Sequence, residues 1–199
     1  MKMTKMPPII LASQSPRRTK LLSEAGVAFE VCPVEVEELS AGRHFCHIAL
    51  INALSKAHQS SRLHPEAMVI GADTVIELDH KIIGKPGSLE DARRILARLS
   101  GRRHAVSTAI CICSVQFDIE VRFIETTFVD FRELDDTIIC DYMSKVDVLD
   151  KAGAYNIDEH GDMLVANIIG EKDNVIGLPR KKLLQAIYAI EALSPSAIS

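Results

Sequence analysis

Ile9-Ile10-Leu11-Ala12-Ser13-Gln14-Ser15-Pro16-Arg17-Arg18 passes from an apolar run through a polar turn to a proline. The run Ile9 to Ala12 reads as a short buried strand. Ser13-Gln14-Ser15 supplies turn and capping hydroxyls. Pro16 suits the first position of a helix, where its missing N–H is not needed. Leu21 and Leu22 give that helix an apolar face, and Gly26 gives it a stop. Such a helix start presents unpaired N–H groups and the positive end of the helix dipole, a ready anion site. Two arginines in the first turn oppose that dipole, each at a cost of a few tenths to ~1 kcal/mol. A polyphosphate would offset the cost through charge-assisted, often bidentate bonds. An arginine pair facing solvent or surface carboxylates explains the same residues equally well.

The rest of the chain extends the α/β pattern. Val27 to Val36 is β-rich and runs into the acidic Glu35-Val36-Glu37-Glu38. His47 to Ser61 has helical spacing, with Ile48, Ile51, Leu54 and Ala57 apolar and Lys56 projecting elsewhere. Ala67 to Ala72 reads as a second buried strand with Asp73 and Thr74 at its end, followed by a hairpin, Val75 to Ile83, around Asp79-His80. Gly84-Lys85-Pro86-Gly87 is a loop, and Ser88 caps a helix over Leu89 to Leu99 with Glu90 and Asp91 in its first turn. His104 to Val115 and Ile119 to Phe131 are β-branched and long enough to pair. A helix over Leu134 to Met143, a small-residue loop Lys151 to Ala154, a strand Leu164 to Ile169, a turn Ile176 to Pro179 and a helix Arg180 to Leu193 complete the order, with Ser194 to Ser199 as a tail. The expected fold is α/β: a mixed twisted sheet with flanking helices, one domain over residues 1–199, with two lobes around a central cleft.

Composition narrows the function. The 199 residues are 47% apolar and 25% charged, with net charge -4 and pI about 6.0. That balance argues against a nucleic-acid polymer as partner, because such proteins neutralise phosphates with a basic face. No apolar run nears the ~20 residues needed to span a bilayer, and the stretch after Lys2 and Lys5 is too short for a signal core. A cytoplasmic protein with no membrane contact is expected. The five cysteines (Cys32, Cys46, Cys111, Cys113, Cys140) form no C-x-x-C pair; Cys111 and Cys113 share one strand face, where buried free thiols are the better reading and a thiolate metal pair the alternative. His44, Cys46 and His47 lack an evident fourth ligand for zinc.

Asp73 follows the apolar run Met68 to Ala72, where it could hold a metal, act as a base toward water, or simply cap a turn. Glu37 and Glu38 could add oxygen ligands for a hard cation, or be a solvated acidic edge. Lys85 could reach a phosphate, and His104 heads a β run as a structural residue.

In order and spacing, these fragments resemble the Maf family of nucleotide pyrophosphatases. The resemblance rests on Leu11 to Arg18, Val36-Glu37-Glu38, Lys56-Ala57, Gly71-Ala72-Asp73-Thr74 and Gly84-Lys85-Pro86. It continues through Leu99-Ser100-Gly101 with His104, Asp150 to Tyr155 and Gly177-Leu178-Pro179. It implies a homodimer that hydrolyses a nucleoside triphosphate to the monophosphate and pyrophosphate with a divalent cation, Mg²⁺, Mn²⁺ or Co²⁺. Asp73 corresponds to the catalytic proton acceptor. Ser13, Arg17, Arg18, Lys56 and Lys85 correspond to substrate-binding residues, and Glu38 and Asp73 to metal-site carboxylates. Members acting on dTTP and UTP resemble one another in Arg, Thr and Gln at three selectivity positions. Here these are Arg17, Thr74 and Asp158, so the third position departs from the pattern.

Overall fold

The computed structural model describes residues 6–40 and 45–193. His44 and the expected tail lie outside the described residues, as do Lys2 and Lys5. Strand β1 (Ile9–Leu11) leads into helix α1 (Pro16–Glu24), as the opening decapeptide dictates. Ser15 caps α1 by accepting from the Arg18 N–H. Strand β2 (Glu30–Val31) pairs in parallel with β1. Only these two residues of the β-rich stretch from Val27 to Val36 join the sheet. Helix α2 (Phe45–Leu63) follows, then strand β3 (Met68–Leu78) and strand β4 (Lys81–Ile83). The β3–β4 turn places Asp79 and His80 at φ 53° and 58°, the left-handed pair that a two-residue hairpin of type I′ needs.

Helix α3 (Leu89–Leu99) is capped by Ser88, whose hydroxyl accepts from the Asp91 N–H at 3.1 Å. Strands β5 (Arg103–Ser114) and β6 (Ile119–Phe131) pair along their full length. Helix α4 (Asp136–Lys145), capped by Asp135, strand β7 (Val165–Ile169), helix α5 (Lys172–Ile176) and helix α6 (Arg180–Ala192) close the chain. The sheet order is β2-β1-β3-β5-β6-β7, with β4 on β3. It is parallel across β2, β1 and β3, and antiparallel beyond. No helix among the described residues is long and apolar enough to cross a membrane.

One expectation changes here. Asp73 and Thr74 do not end a strand; β3 runs on to Leu78, with Asp73 opposite Ala109 and Thr74 opposite Thr108. The alternating Val75 to Leu78 segment extends β3 because β5 pairs with it through Ala105. The site is therefore built at mid-strand rather than at a strand terminus.

The core shows why that place is polar. One face of β3 and β5 carries two apolar clusters. Met68, Ile70, Ala72, Ile110 and Ile112 pack with residues of α1 and α6, while Ile76, Leu78 and Val106 pack with α3 and α4. Between them stand Thr74 and Thr108. The other face repeats the arrangement under α2, with Val69, Cys111 and Cys113 in one cluster and Val75 and Ala109 in another. Asp73 lies in the gap.

α2 approaches the sheet closely. A Cβ on Gly71 would come within 2.7 Å of the Ala57 backbone nitrogen, so glycine is required for the helix to rest on β3. The buried face of α2 is accordingly Ile48, Ala49, Asn52, Ala53, Lys56, Ala57, Ser60 and Ser61. This rotates the helix away from the expected stripe: Ile51 is exposed, and Lys56 points inward rather than elsewhere.

His104 is buried against Phe131 and Tyr155, with its Nε2 2.9 Å from the Tyr155 hydroxyl. Burial lowers its pKa to about 4 from an ordinary 6.5. The unfolded chain thus binds a proton that the native imidazole resists, so stability present above pH 6.5 drains away as pH falls toward 4. The expected loss is about 3 kcal/mol by the linkage relation for such a shift. Urea midpoints measured from pH 7 to pH 4 should fall in wild type and fall less in His104→Gln; equal slopes would show that another group sets the acid limit.

Candidate active site

The site is assembled from α1, the loop after β2, α2 and the middle of β3. Asp73 projects toward α2, where Lys56 Nζ lies 2.9 Å from its Oδ1 and Asn52 donates to its Oδ2 at 3.0 Å. Asn52 and Lys56 are four apart and share a helix face. Lys56 Nζ also lies 2.6 Å from Glu38 Oε1, so a single ammonium gathers two carboxylates. Asn52 fixes the loop carrying Glu38, accepting from the Leu39 N–H at 2.8 Å and donating to the Leu39 carbonyl at 3.0 Å. Asp73 and Lys56 are buried whereas the Glu38 side chain is 54% exposed, so the group opens to solvent on the Glu38 side.

The arginines differ sharply. Arg18 is fully engaged: Nε donates to the Gly177 carbonyl at 2.8 Å, and Nη1 to the Ala72 carbonyl at 3.0 Å and Ser13 Oγ at 3.2 Å. Nη2 donates to Thr74 Oγ1 at 3.0 Å. Burial lowers the Arg18 pKa, and the charge of Asp73 opposes that shift. Gly177 sits at φ 122°, a conformation that turns its carbonyl to Arg18 and that side-chain-bearing residues rarely adopt. Arg17, by contrast, has a buried Nε with no hydrogen-bond partner among the described residues.

Lys85 is exposed on the loop after β4, which is tied to the Lys151–Ala154 turn by the Gly153 N–H donating to the Gly84 carbonyl at 3.0 Å. Lys151 binds Asp150 Oδ1 at 2.7 Å, and this bond is the chief reason that the Asp150 carboxyl is held below its usual range. The fields of Arg17 and Lys85 lower it further, which places all four charges in one neighbourhood.

The structure thus joins Glu38, Lys56 and Asp73 by direct contact and Ser13 with Arg18, which feels the charges of Asp73, Glu38 and Arg17, while Arg17 and Lys85 both act on Asp150. Thr74, on the opposite sheet face from Asp73, joins through Arg18 and through Thr108 at 2.9 Å. Asp158 stands apart: its carboxylate pairs with Lys172 on α5 at 2.7 Å, and its N–H donates to Asn156 Oδ1 at 3.2 Å. Sequence reasoning missed Asn52 and Lys151. The spacing of Asn52 one turn before Lys56 was the available signal for the first.

A protein-family model described as Maf-like protein matches residues 8–190. The chain belongs to the Maf-like family. Curated relatives extend along almost all of it. A dTTP/UTP pyrophosphatase of Akkermansia muciniphila is 44% identical over 93% of this chain and 97% of its own length. One of Bacillus cytotoxicus is 40% identical over 94% and 97%. Among solved structures, the Ham1 protein of Staphylococcus aureus superposes with TM-score 0.55 at 17% identity, covering 92% of this chain and 99% of its own. A HAM1 protein of Coxiella burnetii gives TM-score 0.52 at 15% identity over 94% and 99%. These two show the shared mixed α/β fold. The Maf-like segments are the ones that meet in space: Leu11 to Arg18, Glu38, Lys56, Gly71 to Thr74 and Gly177 all contribute to the contacts around Asp73 and Arg18.

Proposed function

We propose that this protein is a nucleoside triphosphate pyrophosphatase, hydrolysing dTTP or UTP to the monophosphate and pyrophosphate. The observation that carries the reading is the pair of carboxylates, Asp73 and Glu38, held 2.9 and 2.6 Å from Lys56 Nζ, with the buried Arg17 Nε left without a hydrogen-bond partner among the described residues on the adjoining helix α1. The names of the relatives, dTTP/UTP pyrophosphatases, supply the substrate class.

The donors fit a hard divalent cation. Both carboxylates face the Lys56 ammonium, and Glu38, 54% exposed, keeps solvent-facing oxygen lone pairs of the kind Mg²⁺ takes alongside waters and substrate phosphates. Glu38 and Asp73 would hold it; when bound, it supplies charge to polarise a phosphoryl oxygen and acidify a water. The chain's own groups do the rest. Asp73 takes the proton of the attacking water, oriented by Asn52 and Lys56 on its two oxygens. Arg17 and Lys85 neutralise charge that grows on the departing pyrophosphate. Arg18 and Ser13, bonded to each other, hold the turn that presents Arg17. The molecule acts as a homodimer in the cytoplasm, on free nucleotide rather than on a nucleic-acid polymer or at a membrane.

Asp158 favours a second reading of the base, a pyrophosphatase for 7-methyl-GTP or another modified nucleotide. A carboxylate only accepts hydrogen bonds where an amide both donates and accepts. A non-catalytic nucleotide-binding regulator of cell division fits less well, because binding alone needs no positioned base. Pyrophosphate release across dTTP, UTP, 7-methyl-GTP and modified pyrimidine triphosphates, with Mg²⁺, Mn²⁺ or Co²⁺, tests the proposal. Fastest turnover of dTTP and UTP is expected, preference for 7-methyl-GTP would replace the base assignment, and no release from any triphosphate would overturn the enzyme.

A further inference from the structure

The second half of α2 covers side chains that the nucleotide chemistry does not use. Cys111 and Cys113 lie two apart on β5 and so share a face, the one packed against Leu54 and Ala57 of α2. Both are buried free thiols. Glu120 on β6 is the direct cross-strand partner of Cys113. His58 on α2 places its Nε2 2.8 Å from Glu120 Oε2. A ring nitrogen of His58 and the two sulfurs all lie within 4.8 Å of one another.

We infer that His58, Cys111 and Cys113 form a binding site for a thiophilic divalent cation of the Zn²⁺ class, with Glu120 orienting the His58 imidazole. Two sulfurs and an imidazole nitrogen are a three-ligand set that suits zinc and not a hard ion such as Mg²⁺, with the fourth tetrahedral position left to a water. Zinc–sulfur bonds of ~2.3 Å in a tetrahedron put ligand atoms roughly 3.7 Å apart, so contraction by about 1 Å, within the reach of side-chain rotation, closes the site. Access is provided: the thiols are buried, but the side chains of His58 and Glu120 are each 42% exposed at the mouth. A disulfide is the poorer use of this pair. Residues two apart on one strand are separated by roughly 6.7 Å along it, near the upper limit of disulfide geometry, with their Cβ atoms pointing the same way.

The site would pin α2 to β5 and β6 two residues beyond Lys56. It is distinct from the oxygen donors Glu38 and Asp73 and would fix the helix that positions Asn52 and Lys56 against Asp73.

The test adds Co²⁺ to the full-length reduced protein and then displaces it with Zn²⁺. Wild type should show thiolate-to-cobalt charge-transfer absorption in the near ultraviolet, lost stoichiometrically to Zn²⁺, and Zn²⁺ should raise its Tm. Cobalt at the all-oxygen nucleotide site produces no such band, so failure of the pyrophosphatase reading and failure of this one are separable. Cys111→Ser with Cys113→Ser should abolish both signals. His58→Ala and Glu120→Gln, at exposed positions that do not threaten folding, should weaken zinc binding about ten-fold or more. Absence of the charge-transfer band in wild type, or undiminished zinc affinity in the His58 and Glu120 variants, overturns the site.

Discussion

Asp73→Asn is expected to leave a folded protein whose turnover falls by about 10²–10⁴-fold, the usual worth of a positioned general base. The amide keeps the shape of the carboxylate but cannot accept the water's proton. Structure should survive because Lys56 retains Glu38 at 2.6 Å. One of the two existing contacts, to Lys56 or to Asn52, must then face an NH₂ group, costing on the order of 1–3 kcal/mol. Steady-state kinetics on dTTP or UTP, with circular dichroism to check folding, provide the measurement. A drop in kcat with KM little changed marks a group acting in the transition state. Near-full activity in the folded variant would remove Asp73 from the base position.

Arg18→Lys should damage stability as much as activity, although the charge is conserved. The Arg18 guanidinium ties α1 to β3 and to the Gly177 turn through four acceptors lying in different directions. A lysine offers one nitrogen at the end of a flexible stem and cannot reproduce that planar fork. Buried acceptors left unpaired cost about 1–3 kcal/mol each. With two lost, Tm should fall by roughly 5–15 °C for a chain of this size. Arg17→Ala makes the contrast: its Nε has no partner to lose, so Tm should hold while KM for the nucleotide rises. Thermal melts of the two variants side by side decide the matter. An Arg18→Lys protein that melts with wild type would deny the clamp.

The contrast between these neighbours also shows where sequence reasoning reaches its limit. Helix polarity makes an Arg-Arg pair at an N-terminus anomalous, and so flags an anion site. It cannot say which of the two turns inward. That depends on the Ala72 carbonyl, Thr74 and Gly177, residues up to 159 positions away whose approach is set by how α1 and α5 pack on the sheet. Helix α2 misleads for a related reason. Its largest apolar residues suggest a stripe through Ile51, yet Gly71 admits the helix so closely that alanines and serines fill the buried face. Asn52 and Lys56 ride inward with them to meet Asp73. Hydrophobic periodicity assumes that the buried side is the greasy side, and a helix that delivers polar groups to a site breaks that assumption.

The sequence by itself determined most of the elements and their order, the short helix α5 before the Gly177 turn excepted. The capped helices α3 and α4, the Asp79-His80 hairpin and the long β5–β6 pair follow from local rules of turns, caps and alternation, which act over a few residues. The same local information placed Asp73 beside a buried run and made Leu11 to Arg18 a strand–turn–helix. Only the tertiary structure decided that Asp73 sits at mid-strand, that Lys56 joins it to Glu38, and that His58 meets two cysteines more than 50 residues away. These are consequences of sheet register and of the rotation of α2 about its axis, both fixed by packing across the whole core rather than by any one segment.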